Sequence, residues 1–346
     1  MLHPEALSCD QNVASYPVEQ NGLTHVAPAS PFQGQTGRAE GAMSLFLALD
    51  AGGTKTDYVL ADETRELARV RTGTIKRMRT DAKTAAHNLD FALRELTLQT
   101  GLSMQSITRT CVGTAGEAIP LVADWLRQAL GSRVSGELLL LGDVEIALDA
   151  AFPEEVGVLV LAGTGSNVAA RTSSGKVITA GGWGPALADQ GSGHKIGLES
   201  LRAGFLAKDA NQPTRLLQDA MDYWSIASLD LLVEYANSVP PPDFSKLAEV
   251  VLNAAQLGDE VASDVLREEG ESLGYLVRLV MRQLKPATET QQWVPRIAFA
   301  GSIMDRIPPV RTALISSVEQ EFGPLAALPG VVDPIAGAVW RARRGC

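Results

Sequence analysis

One pattern occurs twice along the chain, and it limits the folds that the chain can adopt. An apolar strand, a turn rich in glycine and threonine, a second strand, a polar turn and a third strand follow one another in residues 45–72 and again in residues 156–180. The first strand of each set is a short apolar run, Ser44–Asp50 and Val156–Ala162. A repeat of this kind predicts two similar α/β halves. We expect the halves to face each other across a cleft, with one glycine-rich turn from each half at its mouth.

Helix and strand patterns alternate around the repeats. In chain order these are the helix Asp81–Leu98, the strand Ile107–Val112, the helix Ile119–Leu130 and the buried-type strand Glu137–Leu141. The stretch from about residue 194 to 285 is mostly helical, and a strand at Arg296–Ala300 and a last helix at Pro334–Arg344 follow it. This order predicts an α/β protein with mixed sheets flanked by helices.

Composition and charge argue against several classes of function. Hydrophobic residues make up 45% of the 346, which is enough for two packed cores. The net charge of −10, without a long basic stripe, argues against a nucleic-acid partner, because clustered Lys and Arg are needed to neutralise phosphates. No apolar run reaches the roughly 18 residues of a membrane span. Cys9, Cys111 and Cys346 lie far apart in no disulfide or metal spacing, so we expect a reducing compartment and a cytoplasmic protein.

The first 42 residues differ in composition from the rest of the chain. They are rich in Pro, Gln, Ser, Asn and Gly, with no helix or strand period and no secretory signal pattern. We interpret residues 1–42 as a disordered tail or as sequence preceding the folded part. The predicted domains are then residues 43–150 and residues 151–346, the second with a helical insertion at about 194–285. We expect the last helix to pack back toward the first domain.

The first glycine-rich turn is a candidate phosphate site. It reads Asp50–Thr56 (DAGGTKT) and directly follows an apolar strand. Glycines let the backbone approach a polyphosphate, and backbone N–H groups and Thr hydroxyls can bind it. Asp50 suits Mg²⁺, directly or through water, because this ion takes one or two carboxylates together with phosphate oxygens. Taken alone, the same residues fit an ordinary hairpin turn.

A second turn, Gly163–Ser166 (GTGS), occupies the equivalent place in the other half. Alone it too could be a tight turn. Two such turns, each following an apolar strand at matching places in a repeat, favour phosphate binding over coincidence. Neither turn has the spacing of a P-loop or of a dinucleotide-binding fingerprint.

Two aspartates are candidates for binding or activating a substrate that accepts a phosphoryl group. Asp143 follows the strand Glu137–Leu141, and ligands collect beyond the carboxyl ends of strands in α/β sheets. It could take the proton of an attacking hydroxyl, or it could cap the helix that follows. Asp189 lies in the glycine-rich segment Gly181–Gly193, where it could accept hydrogen bonds from sugar hydroxyls or form an Asx-turn.

In this order the segments resemble the N-acetylglucosamine kinase family, also described as BadF/BadG-type ATPases, of the actin–hexokinase–Hsp70 superfamily. The similarity covers about residues 45 to 340. The pieces that carry it are Ala48–Asp57 (ALDAGGTKTD), Val112–Glu117 (VGTAGE), Gly142-Asp143, Leu161–Asn167 (LAGTGSN), Gly181–Gly193, Ala298–Ser302 (AFAGS) and Asp333–Ala338 (DPIAGA).

The resemblance implies two ribonuclease H-like domains of the actin and hexokinase type, with ATP and Mg²⁺ as cofactors. It places Asp50 toward the metal, makes Asp143 the base, and assigns Thr114 and Asp189, together with Asp143, to the sugar. The residues that it implies for ATP are Gly52, Gly53, Thr54, Lys55, Thr56, Gly163, Thr164, Gly165, Ser166, Gly301 and Ser302. It also implies closure of the two lobes on the substrate, which excludes water.

One segment departs from the family pattern. The resemblance leads us to expect a Gly-x-x-Asn segment after the third strand, where the Asn contacts the sugar, but Gly73–Arg79 contains no Asn. The identity of the acceptor therefore stays open. Lys76, Arg77 and Arg79 could meet a carboxylate or phosphate on an acidic acceptor, or they could form a solvated basic loop.

Three functional hypotheses follow. The first is an ATP-dependent kinase for N-acetylglucosamine, glucosamine or a related sugar, with a small-molecule partner and with a homodimer left open. The second is an ATPase that activates an electron-transfer or dehydratase partner through an iron–sulfur cluster held by cysteines, which the scattered cysteines disfavour. The third is a sugar-sensing protein without turnover, which the presence of both Asp143 and Asp189 disfavours.

Overall fold

The computed structural model describes residues 44–284 and 295–345. The predicted tail at residues 1–42 lies outside this part of the chain, as do Cys9 and Cys346. None of the helices within the described residues is both long and apolar enough to cross a membrane.

The first half of the chain forms a five-stranded mixed sheet. Its strands are β1 (Leu45–Ala51), β2 (Lys55–Ala61), β3 (Glu66–Gly73), β4 (Ile107–Gly113) and β5 (Glu137–Leu141). They lie in the order β3-β2-β1-β4-β5, in which β1, β2 and β3 pair antiparallel and β1, β4 and β5 pair parallel. The parallel strands end together, because Asp50 pairs with Gly113 and Gly113 with Leu141.

The second half repeats this topology. Its strands are β6 (Gly157–Ala162), β7 (Ser166–Arg171), β8 (Val177–Gly181), β9 (Arg296–Ala300) and β10 (Ala326–Ala327). The order β8-β7-β6-β9-β10 combines two antiparallel pairings on one side of β6 with two parallel pairings on the other. The predicted repeat and the α/β fold with two mixed sheets are therefore confirmed.

Helices cover the sheets. They are α1 (Ala82–Thr100), α2 (Pro120–Gly131), α3 (Asp143–Ala151), α4 (Gly193–Asp209), α5 (Leu216–Trp224), α6 (Leu229–Ala236), α7 (Ala248–Gln256), α8 (Glu260–Leu284), α9 (Ser302–Arg306), α10 (Pro308–Phe322) and α11 (Pro334–Arg344). Helices α1 and α2 bury the outer face of the first sheet. Helices α4, α7, α8 and α10 bury the outer face of the second sheet.

Helices α3 and α11 lie between the inner faces of the two sheets. Helix α11 packs Ile335 and Val339 on the first sheet, and Ile146 of α3 joins the same apolar cluster. The other face of α3 packs Leu148 against the second sheet, and Phe152, just after the helix, packs there too. Each sheet is thus covered by apolar contacts on both faces, as its continuous apolar strands require. The division of the chain into two domains stays a prediction.

The contact between α3 and α11 is very close, and glycine makes it so. A Cβ added at Gly337 would lie 1.8 Å from the carbonyl oxygen of Ile146. Beside it, the fully buried carboxylate of Asp149 on α3 receives hydrogen bonds at 2.6 Å from Arg171 at the end of β7 and from Arg341 on α11. The buried charge therefore has two partners, which offsets the cost of removing it from water.

Substituting Gly337 tests this contact. Gly337→Ala is expected to force α3 and α11 apart and to lower the free energy of unfolding by about 1–3 kcal/mol, the usual cost of overpacking. The measurement is the urea or thermal midpoint. Gly131→Ala is the control, because a Cβ added at Gly131 meets no atom within 4 Å. Equal midpoints for the two variants would contradict the close contact.

Candidate functional site

The two glycine-rich turns, which are far apart in sequence, meet in space. The first connects β1 to β2 and the second connects β6 to β7. The hydroxyl oxygens of Thr54 and Thr164 lie 3.2 Å apart, within hydrogen-bond distance. The predicted phosphate-binding residues from both halves are therefore close enough to contact one ligand.

The residues of the first turn divide into exposed and buried groups. Thr54 and Lys55 are exposed, and the Lys55 ammonium lies 3.8 Å from the Asp57 carboxylate. Thr56 is fully buried, and its hydroxyl accepts a hydrogen bond from the backbone N–H of Ile75. Of the predicted ligand residues here, Thr56 supports the turn from inside the protein, whereas Gly52, Gly53 and Thr54 remain accessible.

The second turn is fixed by the start of α4. The carbonyl oxygen of Gly163 accepts from the N–H of Gly193 at 2.8 Å, and that of Thr164 accepts from His194 at 3.2 Å. The buried hydroxyl of Ser166 donates to the carbonyl oxygen of Gln190 at 2.7 Å. Because these carbonyls are already bonded, the turn can direct N–H groups and the Thr164 hydroxyl toward a ligand.

Gly301 and Ser302, predicted to lie near adenosine, are next to the second turn. They follow β9, which pairs parallel to β6 so that both strands end at the same edge. Gly301 has φ +90°, and a Cβ there would lie 2.3 Å from the carbonyl oxygen of Ala162, so only glycine fits. The Ser302 hydroxyl lies 3.8 Å from where a Cβ of Gly163 would be.

Asp50, the predicted metal residue, is the last but one residue of β1. Burial, together with the nearby carboxylates of Asp143, Asp57 and Asp333, raises its pKa to about 7. Asp333, which precedes α11, also accepts a hydrogen bond from Arg69 at 2.6 Å. Asp333 was not among the predicted site residues, although it opens the family segment Asp333–Ala338 before the last helix.

Asp143 and Thr114 lie beyond the ends of β5 and β4, beside Asp50. The Thr114 hydroxyl is buried and donates to the carbonyl oxygen of Ala51 at 3.0 Å, so it joins the ends of β4 and β1. Asp143 is the first residue of α3, and Gly142 rather than Asp143 is the helix cap. Burial raises the pKa of Asp143, and the ammonium of Lys76 opposes that rise.

Asp189 lies against the second turn. It is buried, with φ +72°, and its Oδ1 is 3.5 Å from the backbone N of Ser166. Burial raises its pKa, while the Ser166 N–H and the charges of His194, Arg79 and Lys76 oppose the rise. The charge of Lys76 therefore acts on both Asp189 and Asp143.

Glu269 on α8 holds the loop that carries Asp189. This buried carboxylate accepts a hydrogen bond from the N–H of Gly191 at 2.7 Å. Glu117 is also close to the site, because it lies 3.8 Å from a Cβ placed at Gly142 and its charge acts on both Asp143 and Lys76. Neither Glu269 nor Glu117 was among the predicted site residues. Glu117 falls within a family segment, whereas nothing local distinguishes Glu269 from other helix residues.

Comparisons with known proteins agree with this arrangement. The model of the BadF/BadG/BcrA/BcrD ATPase family matches residues 47–340. The chain is 26% identical over 312 residues to the N-acetylmuramic acid/N-acetylglucosamine kinase of Clostridium acetobutylicum, covering 88% of this chain and 100% of that protein. It is 26% identical over 311 residues to the N-acetyl-D-glucosamine kinase of Dictyostelium discoideum, covering 85% of this chain and 96% of that protein.

A solved structure has the same fold. A candidate N-acetylglucosamine kinase from Chromobacterium violaceum superposes with a TM-score of 0.66 at 23% identity, covering 86% of this chain and 98% of that one. The resemblance found in the sequence is confirmed. Because the family model covers most of the chain, the protein belongs to the BadF/BadG/BcrA/BcrD ATPase family.

Proposed function

We propose that this protein is an ATP-dependent kinase that transfers the γ-phosphoryl group to a hydroxyl of an amino sugar such as N-acetylglucosamine or glucosamine. The observation that carries the proposal is the 3.2 Å approach of Thr54 to Thr164, one from each half. A pair of facing turns rich in glycine and threonine suits the triphosphate of ATP. The names of the relatives, which are kinases of N-acetylated amino sugars, support this substrate class.

The chemistry is divided between positioning and proton transfer. The two turns hold the phosphates, and Asp189 orients the sugar, so that the acceptor hydroxyl meets the γ-phosphorus in line. The carboxylate of Asp143 accepts the proton of that hydroxyl as the new P–O bond forms and the bond to ADP breaks. Its raised pKa favours accepting the proton, since a carboxyl of higher pKa is a stronger base.

Beside Asp50, a magnesium ion would take phosphate oxygens of the nucleotide as further ligands. Within the part of the chain that the structure describes, no three His, Cys, Asp or Glu side chains form a metal cluster. Mg²⁺ typically uses one or two carboxylates when phosphate oxygens complete its coordination shell. Asp50 would supply such a carboxylate, and the nearby carboxylates of Asp143 and Asp333 raise its pKa. When bound there, the ion would neutralise charge on the transferring phosphoryl group.

The electron-transfer alternative finds no support in the described residues. Cys111 is fully buried in β4, within the apolar cluster under α11, so it does not face a surface that a partner subunit could share. Cys9 and Cys346 lie outside the described residues.

Removing the proposed base is the direct test. Asp143→Asn is expected to lower kcat for sugar-dependent ADP release by about 10²- to 10⁴-fold, the usual contribution of a general base, while ATP still binds. A coupled ADP-release assay and nucleotide calorimetry measure the two effects. Asp124→Asn, which changes an exposed carboxylate on α2, is the control and should act like the wild type. Near-normal turnover of Asp143→Asn would refute the role of Asp143.

The pH dependence of kcat tests the surroundings of Asp143. The base must be ionised, so activity falls as the pH drops through the Asp143 pKa, and burial moves that fall above the range of an ordinary aspartate. Lys76→Met removes a cation that lowers this pKa, so the acid limb is expected to move to higher pH. Lys83→Met, on the exposed start of α1, serves as the matched control with no shift. A shift to lower pH would contradict the assignment.

A further inference from the structure

The connection between β3 and α1, which carries the basic residues noted in the sequence, is tied to the first glycine-rich turn. The Thr74 hydroxyl donates to the carbonyl oxygen of Gly52 at 2.7 Å. The N–H of Ile75 donates to the buried Thr56 hydroxyl at 3.2 Å. The start of the connection is therefore fixed against the turn to which we assign phosphate binding.

Hydrogen bonds within the same connection hold Arg79 beside that turn. The N–H of Arg79 donates to the carbonyl oxygen of Lys76 at 2.8 Å, and the Arg77 guanidinium donates to that of Thr80 at 2.5 Å. The Arg79 side chain lies along the turn, with its Nε 3.8 Å and its Cγ 4.0 Å from the position that a Cβ of Gly53 would take. The guanidinium is thus next to the turn and does not extend away from it.

The Arg79 guanidinium has donors to offer a ligand. Among residues 44–284 and 295–345 it forms no ion pair within 4.0 Å, whereas Arg69 pairs with Asp333 and Arg71 with Asp57. Arg79 is exposed, so water can occupy its N–H donors. An anionic ligand can displace that water without breaking a contact inside the protein.

Close approaches connect Arg79 to the residue proposed to bind the sugar. Arg79 lies beside the glycine that precedes Thr54, and the Thr54 hydroxyl is 3.2 Å from that of Thr164. In the next residue, Gly165, an added Cβ would be 3.1 Å from Oδ2 of Asp189. Arg79 and Asp189 therefore border the paired turns, one from each half. A phosphoryl group that passes from a nucleotide on the turns to a sugar at Asp189 would travel beside both.

We propose that Arg79 binds the γ-phosphoryl group of ATP and stabilises it during transfer. The inference rests on the proposed kinase function and adds a catalytic residue to it. None of the residues expected to bind ATP lies in the connection between β3 and α1.

The charge of the transferring group explains why a guanidinium suits this place. As the acceptor oxygen bonds to the γ-phosphorus, the bond from that phosphorus to the bridging oxygen of ADP breaks, and its electron pair leaves with ADP. The hydroxyl proton passes to Asp143. The other three oxygens of the phosphoryl group carry negative charge throughout. A guanidinium can donate two parallel hydrogen bonds to such oxygens. Because Arg79 is held beside the turn before ATP binds, little reorganisation is needed.

Kinetics of Arg79 variants test the catalytic role. Arg79→Met is expected to lower kcat for sugar-dependent ADP release by about 10²- to 10³-fold, the usual effect of removing one preorganised donor to a reacting group, with little change in KM for the sugar. Arg79→Lys keeps the charge but not the paired donors, so it should recover part of kcat. Arg94→Met, which changes an exposed arginine on α1, is the control and should act like the wild type.

A binding measurement without sugar tests which phosphate Arg79 contacts. Calorimetry compares ADP with the non-hydrolysable β,γ-imido analogue of ATP. Arg79→Met is expected to weaken binding of the analogue by about 10-fold, the value of a hydrogen bond to a charged group, and to leave ADP binding unchanged. An equal loss for both nucleotides would place Arg79 at the other phosphates and overturn the proposal. If Arg79→Met does not fold, Arg79→Gln is measured in its place.

Other outcomes also decide the matter. Turnover of Arg79→Met close to that of the wild type overturns the proposal. So does a loss confined to KM for the sugar, because Arg79 would then contact the acceptor. If the wild type releases no ADP in response to any sugar, the kinase function fails. The comparison of the two nucleotides then still shows whether Arg79 contacts the γ-phosphate.

Discussion

The contact between α3 and α11 is the constraint on which the rest of the structure depends. It joins the inner faces of two sheets that are otherwise separate, and it can be so close only because Gly337 has no side chain to meet the Ile146 carbonyl. The hydrogen bonds of Arg171 and Arg341 to Asp149 stabilise the same contact, because they link α3 to β7 and to α11. With the sheets held at this distance, the turns after β1 and β6 come within 3.2 Å of each other.

The charges of the site follow from the same geometry. Parallel strands that end together bring Asp50 and Asp143 to one edge, and the chain before α11 adds Asp333. Burial raises the pKa of both Asp50 and Asp143, and the carboxylates near Asp50 raise its pKa further. The charge of Lys76, in the basic segment after β3, balances part of this negative charge. One sheet edge thereby contains the carboxyl groups to which we assign metal binding and proton transfer in the proposed function.

The sequence predicted those strands whose position depends only on the residues within and next to them. The strands Glu137–Leu141 and Arg296–Ala300 are found at the predicted residues, because continuous apolar runs with polar or glycine boundaries leave little choice. The exposed two-residue strand β10 has no such pattern and was not predicted. Pairings over long separations, such as Arg69 with Asp333, depend on the whole fold. For the same reason, the sequence could not decide whether Lys76 faces solvent or the site.

The position of Asp143 on α3 has a mechanical consequence. Asp143 begins the helix, and Ile146, which meets Gly337, is three residues along it, a rise of about 5 Å. If one sheet rotated relative to the other about this contact, Asp143 would move only a short distance because it lies close to the contact. Asp143, the proton acceptor of the proposed function, would therefore move little while the sheets shift.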